Sequence, residues 1–149
     1  MSRLTDIDNY LVVENGQIKE STFKQDIQIQ NQTLTINEDA KVQIIYKVTQ
    51  EGDYRFNITL KERLHVDLIE MYEVSTKCRF TKNIKVNESC EVLRYVEKNS
   101  QENISIDLDE NVDVCANAHI SCAYVELTDY STFSKVKYQL LEEGASARL

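Results

Sequence analysis

From Gln25 onward, apolar and polar residues alternate with a period of two. Ile27 and Ile29 alternate with polar residues, as do Leu34 and Ile36. Val42, Ile44, Tyr46 and Val48 share one face opposite Lys41, Gln43 and Lys47, and Tyr54, Phe56, Ile58 and Leu60 share a face opposite Arg55, Asn57 and Thr59. Ile84 and Val86, then Ile104, Ile106 and Leu108, then Val112 and Val114 continue the pattern. Successive strand side chains point to opposite sides, so this alternation predicts strands with one buried face. Val, Ile, Tyr, Phe and Thr also fit a pleated surface. Upstream, Leu11–Ile18 reads as two short strands around an Asn15–Gly16 turn, because both turn residues tolerate positive φ. Helical periodicity is weak everywhere, its best window being Met1–Tyr10. The chain is predicted to be all-β, with 1–24 an N-terminal hairpin segment and 25–149 one core domain.

A second periodicity lies over the first. The pattern apolar, any, Glu, any, small or apolar, any, Val or Ala occurs at Ile36–Val42, Leu60–Val66, Val86–Val92, Leu108–Val114 and Leu141–Ala147. Its glutamates, Glu38, Glu62, Glu88, Glu110 and Glu143, are 24, 26, 22 and 33 residues apart. Repeats of this length mark stacked units that cannot bury their apolar faces alone. Each glutamate has the parity of the inward residues, and an ionised carboxylate is not buried without a partner. The chain is therefore expected to turn at all five, with the next apolar residue re-entering the core. Two architectures fit: a parallel β-solenoid of about five coils, and an antiparallel β-sandwich. Recurrence of one motif at one point in each unit favours the solenoid, where identical corners become neighbours. The longer last gap predicts an insertion around Thr128–Ser134 or a break in the repeat.

With 149 residues, 42% of them hydrophobic and 28% charged, the chain has enough apolar material for one core. Three glycines and no proline leave no linker and no glycine-rich phosphate loop. A net charge of −8 argues against direct binding to a nucleic-acid backbone, which needs clustered Lys and Arg. The run Tyr10–Val13 is too short for a secretory core or a membrane span, so a cytoplasmic protein with four free cysteines is expected.

Three segments resemble a known family. Asn15–Gly16 after Val12–Val13 is similar to the entry segment of SufD-type proteins. Asn37–Ala40, Asn87–Cys90 and Asp109–Val112 resemble that family's coil corners, and Gln139–Ala147 resembles its "LLGEGA-A" motif. The resemblance covers residues 11–149 and implies a right-handed parallel β-helix of the SufB/SufD family. It further implies a non-catalytic scaffold subunit for iron–sulfur cluster assembly, with a SufB-like subunit and the SufC-like ATPase as partners. Longer family members continue with more coils and a C-terminal helical region, and no residue of those parts has a counterpart in this sequence. No cofactor is expected in this chain, a cluster belonging to the assembled complex. A coil edge left open would favour a homodimer. The rival reading is a stand-alone sandwich module that binds a carbohydrate or a protein.

Cys115, His119 and Cys122 form a Cys-x3-His-x2-Cys cluster that invites metal ligation. On one straight strand, however, Cys122 points away from the other two, and buried cysteine commonly serves as a small hydrophobe. The glutamate column is read as solvated corners rather than paired catalytic carboxylates. His65, between Leu64 and Val66, is expected to face outward. Neither Gly-x-Ser-x-Gly nor a Walker sequence is present, so no catalytic residue is assigned.

Overall fold

A computed structural model describes residues 7–100, 104, 106–127 and 133–149. The part of the Met1–Tyr10 helical window before residue 7, and most of the insertion expected around Thr128–Ser134, lie outside these residues. The described chain forms thirteen strands: β1 (Asn9–Glu14), β2 (Gln17–Thr22), β3 (Ile27–Gln30), β4 (Thr33–Ile36), β5 (Ala40–Val48), β6 (Asp53–Leu60) and β7 (His65–Val74). They continue with β8 (Cys78–Val86), β9 (Glu91–Ser100), β10 (Ile106–Val114), β11 (His119–Leu127), β12 (Phe133–Leu140) and β13 (Ser146–Arg148).

Alternate strands join alternate sheets. The first sheet has the order β13-β11-β9-β7-β5-β1-β2, and the second β12-β10-β8-β6-β4-β3. Pairing is parallel throughout, except at the hairpins β1–β2 and β3–β4 on the two edges. The result is a β-solenoid of about four turns, in which each coil contributes one strand to each sheet. The antiparallel sandwich is therefore wrong. Within the N-terminal segment, β1 lies in register against β5 as a rung. The Asn15–Gly16 turn takes the expected left-handed conformation, with φ of 48° and 78°.

The core lies between the sheets, filled by the residues that the alternation singled out. Ile36, Leu60, Val86 and Val114 stack in one inward column, each one coil above the last. Tyr46 lies on Tyr72 with ring centroids 4.6 Å apart, and Phe56 and Phe80 meet Tyr46 edge-on. Stacking of like on like makes each column a continuous apolar rod.

Corners are stacked as well. Arg63, Ser89, Asn117 and Gly144 all have positive φ and each precedes a sheet-one strand. The N–H of Arg63 donates to the Glu88 carbonyl, that of Ser89 to Ala116, and that of Asn117 to Glu143. Each strained residue thus satisfies its backbone on the next coil, which holds non-glycine residues in a conformation they otherwise avoid. Behind them Leu64, Cys90 and Ala118 turn back into the core.

Gly144→Ala should lower stability by about 1–2 kcal/mol, because the residue has φ +78° and a Cβ would also press on Asn117 Oδ1. Gly52→Ala should change it far less, since the nearest neighbour is the tip of the Tyr54 ring. Urea unfolding of both variants checks the contrast.

Candidate functional site

Glu62, Glu88 and Glu143 occupy equivalent corner positions, each just before the positive-φ residue, and all three are exposed. Glu38 is exposed in the shorter first corner between β4 and β5. Glu110 is not a corner. It sits in the middle of β10, fully buried and facing the core, and Ala116 takes the corner position of its coil. Glu110 keeps the inward parity of its motif without a turn, because the carboxylate is met by Arg94 from β9.

Arg94 is the hub of a polar network enclosed between the sheets. Its Nε donates to Glu70 Oε2 on β7, and its Nη2 donates to both oxygens of Glu110 at 2.8 Å. Its Nη1 donates to the hydroxyls of Tyr124 on β11 at 3.0 Å and Tyr138 on β12 at 3.5 Å. Those two hydroxyls are 2.6 Å apart. The other Glu70 oxygen accepts from the Tyr46 hydroxyl at 2.7 Å and pairs with Lys82 of β8. Lys82 also donates to the Tyr72 hydroxyl at 3.2 Å and lies 4.2 Å above the Tyr46 ring centre. Six consecutive strands, β7 to β12, thus contribute to one cluster.

Burial shapes its protonation. Removal from water pushes the Lys82 ammonium well below the usual lysine range, and Arg94 adds to the effect. Burial alone would raise the Glu110 carboxyl, but Arg94 and Lys82 hold it below its ordinary value. Desolvation raises the Tyr46, Tyr72 and Tyr124 phenols, and Tyr138 is pushed up to about 12. These hydroxyls therefore remain neutral donors. The cluster's groups spend their hydrogen-bonding capacity on one another, which suits cross-linking of coils.

The cysteine–histidine motif is divided by the corner at 115–118. Cys115 is buried at that corner and Cys122 faces the core from β11, whereas His119 is exposed and bonds Ser146 through Nδ1. The motif does not run as one straight strand but bends between Cys115 and His119, and its three side chains do not converge. Among the described residues no group of three or more His, Cys, Asp or Glu side chains is placed to hold a metal ion. All four cysteines are free and buried. Burial raises the Cys90 and Cys115 thiols and pushes Cys78 up to about 11, which keeps them protonated and weakly reactive. His65 is exposed at the start of β7, on the outer side as its parity indicates. Among the described residues no helix is long and apolar enough to cross a membrane.

The hub was missed because Arg94 looks unremarkable in sequence. One signal was available: Leu93–Arg94–Tyr95–Val96 places an arginine in the phase of Val92 and Val96, whose side chains are buried.

Arg94→Leu leaves Glu110 enclosed without its hydrogen-bonded cation and Glu70 with Lys82 alone, and should cost about 3–5 kcal/mol in urea unfolding. Replacing Glu70, Lys82, Arg94 and Glu110 together by Leu, Met, Leu and Leu should recover most of that loss, since the mutually paired charges leave the core together. A pH series tests the carboxylate separately. With a folded pKa below its ordinary 4.5, Glu110 stabilises the fold above that value and loses the contribution as pH falls through the lower folded pKa. Glu110→Gln should therefore flatten the loss of stability between about pH 5 and pH 2.

No family model, no curated protein and no solved structure matches this chain.

Proposed function

We propose that this protein is a non-catalytic scaffold subunit related to SufD, acting in iron–sulfur cluster assembly with SufB-like and SufC-like partners in the cytoplasm. The observation that carries the reading is where the family-like segments fall in the solenoid. Asn15–Gly16 is the β1–β2 turn, Asn87–Cys90 contains the left-handed corner residue Ser89, and Gly144 occupies the equivalent place in Gln139–Ala147. Residues that resemble a β-helix family's turns are turns here, and the corners at Ser89 and Gly144 belong to one stack joined through Asn117. The Asp109–Val112 segment lends no such support, because it is strand interior.

A scaffold role also agrees with how the chain uses its chemistry. The ionic residues of the core face one another, and burial keeps Cys78, Cys90 and Cys115 protonated. A cluster under assembly is then cargo held by the complex, rather than a resident group of this chain.

Purification of the tagged protein from its own cytoplasm under anaerobic conditions tests the proposal. A SufB-like protein and an ABC-type ATPase should be retained through a high-salt wash. Recovery of neither, with both partners present in the lysate, refutes it.

A further inference from the structure

The two sheets present different outer faces. On the second sheet the outward columns are polar: Thr33, Asn57, Asn83 and Asn111 stack in register, linked by Asn83–Asn57 and Asn57–Thr33 hydrogen bonds at 3.2 and 3.4 Å. The first sheet carries an apolar band instead. At its β1–β5–β7 side Tyr10, Val12, Ile45 and Met71 are buried against one another, with Ile69 packed beside them. The band continues through Tyr95 of β9 and Ala123 of β11, which stack on Ile69 in register. There it is bare: Leu93 is 62% exposed and Leu149 is 76% exposed. Ile69, Leu93, Tyr95, Ala123 and Leu149 line a shallow, widely open groove of about 540 Å³.

We propose that this groove docks an amphipathic α-helix of a protein partner, about three turns long, that carries a carboxylate at one end. The backbone dictates a helix. β9 lies between β7 and β11 along its length, whereas β13 borders β11 only over His119–Ser121, so the ladder groups are paired over the centre of the floor, from β7 to the inner side of β11. A segment lying across the centre of that face, away from the open edge at β13, finds no free ladder and must satisfy its own N–H and C=O groups, as a helix does. Parallel sheets are ordinarily covered by helices on their apolar faces for the same reason. Crossing from β7 to β13 takes three strand spacings, roughly 14 Å, which matches about ten helical residues.

Charge selects the end group. Lys41 at the groove's rim is already paired with Asp67 at 4.0 Å, whereas Arg148 is exposed and forms no ion pair among the described residues. An uncompensated arginine beside an apolar floor, on a chain of net charge −8, complements a carboxylate. This gives the assembly role a place on the surface, and its test uses none of the partners invoked there, so either reading can fail alone.

The test uses a fluorescent twelve-residue Leu/Ala helix with glutamates at one end, its Glu→Lys twin, and a scrambled peptide of the same composition. Fluorescence anisotropy should show saturable binding of the first peptide only. Leu93→Asp should weaken it about tenfold or more, and Arg148→Glu should reverse the preference toward the Lys twin. Thr59→Asp, on the opposite outer face, should leave binding unchanged. Circular dichroism and urea unfolding confirm that each variant folds, as expected for side chains outside the core. Absence of saturable binding, equal binding of the scrambled peptide, or indifference to Leu93→Asp overturns the proposal. So does a dimer in light scattering that Leu93→Asp converts to monomer, because the groove is then an interface between copies.

Discussion

Each coil of this protein completes the hydrogen bonding of its neighbour, and every other feature follows from that dependence. Parallel strands cannot close a ladder within one coil, so the groups of β5 are satisfied by β1 and β7, and those of β8 by β6 and β10. The dependence extends to the corners, where the N–H groups of Arg63, Ser89 and Asn117 reach carbonyls one coil away. Left-handed conformations at an arginine, a serine and an asparagine are tolerated because the adjacent coil supplies an acceptor at the same height each time.

Backbone pairing alone does not say which coil lies on which. Apolar columns such as Ile36, Leu60, Val86 and Val114 are chemically similar along their length and would tolerate a shifted stack. The network around Arg94 is different. It needs Glu70 in the coil before, Glu110 on the facing sheet, and Tyr124 and Tyr138 beyond. A stack displaced by one coil would leave at least two buried charges without partners, a penalty of several kcal/mol. The cluster thus favours one register over its neighbours, much as a buried polar residue does in a coiled coil.

The outer faces show how a solenoid divides its labour. Both sheets supply the core through alternate residues, and the remaining residues are free to differ. The second sheet uses them for threonine, asparagine and charged side chains that solvent accepts without a partner. The first uses them for Ile69, Leu93, Tyr95 and Ala123, a surface that solvent does not favour and that a helix would cover.

How much of this was legible beforehand depends on the range of the interaction concerned. Alternation along single segments announced the strands, because burial of one face acts locally at a period of two. The recurring acidic motif announced coils, and Glu62, Glu88 and Glu143 proved to be equivalent corners because like residues stack there. Glu110 broke the rule, since the question of whether an inward carboxylate can be buried is decided by a residue on another strand. Arg94 answers it from the opposite sheet, 16 positions upstream, at a distance no local pattern encodes. The same holds for Cys115, His119 and Cys122: their spacing suggested a cluster, but a corner sets Cys115 apart from β11, and alternation along β11 puts Cys122 in the core and His119 outside. Strand, phase and repeat belong to the sequence because they depend on neighbours in the chain. Partnership across the core, and the bare half of an apolar band, were decided by the fold, which alone sets who stands opposite whom.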